Sequence, residues 1–387
     1  MLLRSSLVLT ITLFGGVSSS SAQVPASQKP RVSPVTAEAT ELTNGWALLT
    51  EGRADQALIR ADRVLATDPR SVAAFVLAVE AELMRSGSGA ALGRYERWIG
   101  TRPFEEPAVL RRIATGVLRE LSDPKQLPAA RLAALRALAE AGDVTAISAL
   151  QQGVKASSLG EARVLASMGD AAAVKVLIDE VNRSGGRTMA TIQALGTSGS
   201  SLAVATLSDQ LKHGFPEIRA AAVEGLGKLG AAHNTASRIK PLLNDPTTYV
   251  RYRAAAALLS LGDVSGVPLL QELAAQESPA GRLMAAQALA TQPGGEWQEM
   301  VRQLMSAPEP EVRVGAARLL LPHQPELARR VLETSMNDPN PAIREMASET
   351  LVETLPPSDL RALRQLLKTS DLLVRARAAG RIVELLR

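Results

Sequence analysis

Three histidines, one glycine-rich stretch, a few serine and acidic clusters and a run of C-terminal arginines are the residues here whose chemistry could define a function. His213, His233 and His323 would ligate a metal only if the fold gathered them. The first two flank one helical stretch and so stand roughly 20 Å apart at 1.5 Å per residue. The third lies three repeats further on, and no H-E-x-x-H pair occurs, so no metal site is expected. Gly225-Leu226-Gly227-Lys228-Leu229-Gly230 matches G-x-G-x-x-G. A dinucleotide site needs that motif to follow a strand and to open a helix whose N-terminal N–H groups face the pyrophosphate. Here the motif closes a helix, and small residues for close helix packing explain it better. Gly196-Thr197-Ser198-Gly199-Ser200 is not G-x-S-x-G and falls at a turn between helices. The acidic neighbours Glu105-Glu106 and Asp179-Glu180 are adjacent in sequence, so their side chains diverge on a helix and read as solvated surface charge. No cysteine is present, which removes disulfides, thiolate metal sites and a cysteine nucleophile. The expectation is therefore a protein with no catalytic, cofactor or metal residues, and not an enzyme.

The basic run is the one charge feature that suggests binding. Residues 361–387 hold seven basic against two acidic side chains, whereas the whole chain is nearly balanced at +4. Mixed charge of that kind does not point to nucleic acid. Arg361, Arg364 and Lys368 are three and four residues apart and share one helix face, and Arg377 and Arg381 share a face of the following helix. A polar end cap, which every helical array needs for solubility, accounts for such a run. A surface for another protein, acidic in character, is the sharper reading, and these five residues are its candidates.

The elements that position these residues are set by a repeat. Arg219, Arg251, Arg282, Arg313, Arg344 and Arg375 are spaced by 32, 31, 31, 31 and 31 residues. Each has Ala three residues later and Leu or Ile seven residues later. A fixed period of this length means a stacked array. Positions −1, +3 and +7 lie four residues apart on one face of a helix A. A Gly-Asp pair follows, clearest at Gly262-Asp263, with Gly suited to the helix end and Asp to the cap of a helix B. Arg131, Ala134, Leu138 and Gly142-Asp143 extend the template backwards, giving about nine helix pairs over 123–387.

The stretch from Val250 to Asp263, reading V-R-x-x-A-A-x-x-L-x-x-L-G-D, resembles the short HEAT-like repeats of phycobilisome lyases and many bacterial scaffold proteins. The resemblance implies an all-α fold, an α-solenoid of stacked antiparallel helix pairs, with helices B on the concave side. It also implies bonds between the recurrent Arg and an inter-repeat Asp. Asp245 and Asp338 match that Asp, whereas Gln276 and Ala307 do not, so a continuous ladder is not expected.

Residues 37–122 keep another period: Ala57 and Ala91 are 34 apart, as are Pro69 and Pro103. With Gly45 and Tyr95 they resemble two tetratricopeptide repeats and a further helix, or a generic helical cap. Residues 1–22 read as a secretory signal peptide, with Arg4, an apolar Leu7–Val17 and small residues before Gln23. Residues 23–36 carry three prolines and read as a linker. The composition, 46% apolar and only 3% aromatic, suits thin helix layers. Together these readings describe a secreted or periplasmic scaffold that binds another protein along an elongated surface. The alternatives are an enzyme resembling HEAT-repeat bilin lyases, and a regulatory subunit of an envelope complex. Neither the oligomeric state nor the partner is written in the sequence.

Overall fold

The computed structural model describes residues 34–387 apart from 101–103, 185–188, 231–232, 276–277, 292–295 and 357–358. The expected signal peptide and most of the linker lie outside the described residues. Every regular element among those described is helical, and none is long and apolar enough to cross a membrane.

The front comprises α1 (Pro34–Thr50), α2 (Ala54–Thr67), α3 (Val72–Ser86), α4 (Ser88–Ile99) and α5 (Pro107–Leu121). The first turn of α1 thus falls in residues assigned to the linker. Ala57, Ala91 and Tyr95 are fully buried. A Cβ on Gly45 would sit 2.3 Å from a Leu77 methyl, so only glycine lets α1 lie that close to α3.

Eight helix pairs follow, A then B, among the described residues. They are α6 (Pro128–Glu140) with α7 (Val144–Lys155), α8 (Leu159–Ser167) with α9 (Ala171–Ser184), and α10 (Met189–Thr197) with α11 (Ala203–Gln210). Next come α12 (Pro216–Leu229) with the short α13 (Ala236–Ile239) and a 3₁₀ turn, and α14 (Thr248–Ser260) with α15 (Val267–Ala274). The last are α16 (Pro279–Leu289) with α17 (Glu296–Leu304), α18 (Pro310–Leu320) with α19 (Pro325–Ser335), and α20 (Pro341–Thr354) with α21 (Leu360–Leu366). A ninth helix A, α22 (Leu372–Leu385), follows.

Local chemistry accounts for this punctuation. Pro opens α6, α12, α16, α18 and α20 at the first turn, where a missing N–H costs nothing. Gly142 and Gly262 end helices A at φ 86° and 85°, and the next residue caps helix B: Asp143 accepts from the N–H groups of Thr145 and Ala146.

The recurrent Arg has a clear role. Arg219, Arg251, Arg313 and Arg344 each donate through Nη1 to the backbone carbonyls six and five residues earlier, at 2.8–3.4 Å. Each thereby fastens the loop that leads into its own helix A. Among the described residues the inter-repeat bond is present once in this register: Arg219 meets Asp245 bidentately at 2.7 and 2.8 Å. Asp338 instead accepts the Asn340 N–H, and no Arg313–Asp338 pair forms among the described residues.

Two expectations need correction. The array is not an open rod: α22 packs against α5 and α6 at the front, so the array closes on itself. Helices A, not helices B, form its tight layer. Their glycines allow it: a Cβ on Gly160 would meet Leu132 at 2.8 Å, on Gly196 it would meet Gly225 at 2.3 Å, on Gly227 Ala257 at 3.0 Å, and on Gly380 Ala137 at 2.9 Å. Small residues bring successive helices A together, and the array bends toward them.

Candidate functional site

The five basic residues proposed from sequence do not form one free surface. Arg361 is exposed at the start of α21. Arg364, one turn on, is buried with 7% of its side chain exposed. Its Nε donates to Glu105 Oε1 at 3.0 Å and its Nη1 to Glu96 Oε1 at 2.9 Å. Lys368 Nζ lies 2.9 Å from the same Glu96 oxygen. Tyr95 completes the cluster: its hydroxyl donates to Glu105 Oε2 at 2.8 Å and accepts the Glu106 N–H at 2.7 Å. Burial pushes the Tyr95 phenol well above its usual range, and the Glu105 carboxylate adds to that. The acidic counterpart that the C-terminal run implied is thus carried, for Arg364 and Lys368, by this chain's own front.

Glu105 was expected to be solvated surface charge. Its side chain is 8% exposed and ion-paired, because the closing contact buries it. Arg377 pairs with Glu345 and Glu349 of α20 at 3.3 and 3.5 Å. Arg381 pairs with Glu384 at 2.8 Å and donates to the Leu355 carbonyl at 3.3 Å.

The apolar part of the seam comes from the opposite face of α22. Ala376, Ala378, Ala379, Ile382 and Val383 join the same core as Leu110, Ile113 and Leu135 of α5 and α6. The face of α22 that remains open lines a cleft of about 1040 Å³. All of its walls are helices A. Leu132, Ala133 and Ala137 of α6 and Val164 and Met168 near the end of α8 form an apolar patch beside the ion-paired Arg136 and Glu140 of α6. Glu345, Glu349 and Glu353 of α20, spaced by four, form an acidic stripe facing Arg377 and Arg381 on the floor. The cleft exists only because the two ends of the array meet.

The other residues considered from sequence have structural roles. Gly225 packs on Gly196, Gly227 on Ala257, and Gly230 ends α12 at φ 84°. Ser198 is a buried turn serine donating to the Leu195 carbonyl. His213 Nδ1 accepts the Phe215 N–H, and His323 meets the Trp297 ring edge-on at 5.2 Å. No group of three acidic, His or Cys side chains able to hold a metal occurs among the described residues.

Residues 235–296 and 298–381 match the family model described as HEAT repeats. These two segments carry HEAT repeats. The matched HEAT segments include the thin middle of the array and most of the seam's C-terminal side, Arg364 among them. No curated protein matches the chain. Among the solved structures that match the chain are three at low similarity. The complex of CpcE and CpcF of phycocyanin lyase from Nostoc sp. PCC7120 is 19% identical, covering 54% of this chain and 94% of that one, at a TM-score of 0.35. Human deoxyhypusine hydroxylase in complex with glycerol is 20% identical, covering 71% and 97%, at 0.33. An engineered protein is 18% identical, covering 89% and 98%, at 0.29. Likeness at this level transfers no role to the HEAT array of the present chain.

Proposed function

We propose that the protein is a non-enzymatic scaffold, secreted or periplasmic, that holds a segment of another protein in the seam cleft. The cleft carries the reading. It combines an apolar patch with a charged stripe and floor, and its size admits a peptide segment with several side chains. Mixed lining of that kind suits a polypeptide, whose own surface alternates apolar and charged groups. HEAT arrays are repeat scaffolds whose extended inner surfaces suit such partners, and the signal-like N-terminus supports the compartment.

The test substitutes the apolar patch. Ala133→Glu with Met168→Glu leaves the buried seam intact and places two carboxylates opposite the acidic stripe. Wild-type protein immobilised against an envelope extract should retain a partner that this double variant releases, with both proteins equally helical. Equal retention by both would remove the cleft from the reading. Fractionation of a Gram-negative host should find the mature chain in the periplasm beginning at Gln23; soluble protein retaining Met1 would remove the compartment.

A further inference from the structure

The charges that line the seam cleft are nearly balanced in number but not in reach. Arg377 and Arg381 on the floor each keep only 21% of their side chains exposed. The carboxylates beside them stand further out: Glu345, Glu349, Glu353 and Glu384 are between 39% and 56% exposed. Glu353 takes its cation from Arg318, which is not part of the cleft lining. On α6 the exposed Arg136 and Glu140 offset one another. Arg387 is the remaining exposed cation of the lining. A charged group entering the cleft therefore meets carboxylate oxygens before it meets the guanidinium groups beneath them, and a concave surface focuses that field.

The acidic side also has a fixed spacing. Glu345, Glu349 and Glu353 rise roughly 6 Å per step along α20, or about 12 Å in all at 1.5 Å per residue. An extended polypeptide repeats its side chains on one face every ~6.6 Å, close to that step. Its alternate side chains point the other way. Across the α22 floor from the stripe lie Leu132, Ala133, Ala137, Val164 and Met168, with Met168 38% exposed.

From this we propose that the occupant of the cleft is a cationic, amphipathic segment of another protein. Its lysine or arginine side chains lie along the α20 carboxylates, and its apolar side chains cover the patch on α6 and α8. The proposal rests on the reading that the cleft holds a polypeptide, and it reverses the partner charge that the basic run in the sequence implied. The cations of that run are satisfied within the fold: Arg364 by Glu96 and Glu105, Arg377 by Glu345 and Glu349, Arg381 by Glu384. A phosphate-rich partner would meet like charge in the cleft, and a small polyamine would leave the apolar patch uncovered.

Fluorescence anisotropy with two synthetic peptides tests the proposal. One alternates lysine with leucine over about ten residues, long enough when extended to span the three carboxylates. The other carries glutamate in place of each lysine. The full chain should bind the lysine peptide, more weakly as salt screens the half-exposed charges, and should bind the glutamate peptide about tenfold less well. Glu349→Gln with Glu353→Gln leaves Arg377 its bond to Glu345 and should weaken the lysine peptide about fivefold. Glu349→Lys with Glu353→Lys should reverse the preference toward the glutamate peptide, a gain that unfolding cannot produce. Tighter binding of the glutamate peptide by the wild-type chain would overturn the proposal, and so would indifference to both peptides. A lysine peptide held as firmly by both variants as by the wild type would overturn it equally. Failure of the scaffold reading looks different. If Ala133→Glu with Met168→Glu releases the envelope partner while Glu349→Lys with Glu353→Lys retains it, the cleft is occupied but the proposed charge is wrong. If neither variant releases that partner, the cleft itself is the wrong site.

Discussion

The seam between α22 and the front of the chain, and the arc from Tyr252 to Leu289, are held together in opposite ways. The arc is made by the repeat: its helices follow the 31-residue period, and its Arg251 fastens its own loop as the template requires. Yet its core is thin, with α15 only eight residues long and alanines filling the centre of α14. The seam has no precedent in the period. It buries an arginine between two glutamates and runs apolar residues of α22 into the largest core of the molecule. Regularity of sequence and strength of packing are therefore separate quantities in a repeat protein. The period sets where helices go, and the side chains between them set how firmly each junction holds.

The sharpest way to break that comparison is at Arg364. Arg364→Ala leaves Glu105 buried beside Tyr95 with no cation, and removing one partner of a buried pair typically costs about 3–5 kcal/mol. The loss should appear as rapid hydrogen exchange in α22, α5 and α6, with α12 and α14 protected as before. Exchange that instead accelerates uniformly would mean the seam and the arc form one cooperative unit.

A smaller effect is expected in the arc. Leu270 is fully buried in one group with Ala255, Leu259 and Ala288. Leu270→Ala should cost about 2–3 kcal/mol, toward the low end for a buried leucine because so thin a core can collapse around the gap. The damage should stay local, as nearest-neighbour stability requires, and Arg364 should remain protected from solvent. Loss of the seam in that variant would show that the arc carries the closure.

The smallest effect separates the regions by pH. Burial pushes the Asp245 carboxyl upward, but the Arg219 guanidinium, the Thr247 N–H and the nearby charge of Arg251 outweigh it and hold the group below the usual carboxylate range. A carboxylate with a depressed pKa contributes stability above its unfolded value near pH 4 and loses it as the pH falls through the folded one. Tyr95 works at the other extreme. A phenol with a raised pKa favours the folded state below its unfolded value near pH 10 and ceases to as the pH rises past it. Acid below about pH 4 should thus loosen the α12–α14 junction, and alkali above about pH 10 should loosen the seam. Melting curves that shift equally at both junctions, followed by site-specific exchange, would contradict this.

What was legible in the sequence follows the same division. Helices A and B, their proline openings and Gly-Asp turns were readable because each depends on residues a few positions apart. The packing role of Gly225 and Gly227 was readable for that reason. Closure was not, because a contact between Glu96 and Arg364 leaves no periodic trace. The basic excess at residues 361–387 was read as a polar end cap or a surface for another protein, not as one side of a closure within the chain. The other side, Glu105, looked like ordinary surface charge next to Glu106. The inner position of helices A was missed as well, although Gly160, Gly196 and Gly227 each mark a close approach between successive helices A, and Gly380 one between α22 and α6.

Closure also turns repeat number into a fixed quantity. An open solenoid can gain or lose a unit by duplication or deletion, because its free ends face only water. In this chain an extra 31-residue unit would carry Arg364 away from Glu96 by about one helix spacing, roughly 8–10 Å, beyond the reach of any ion pair. Any lineage of this sequence should accordingly vary in its loops and keep its count of helices A, as a gear keeps its count of teeth.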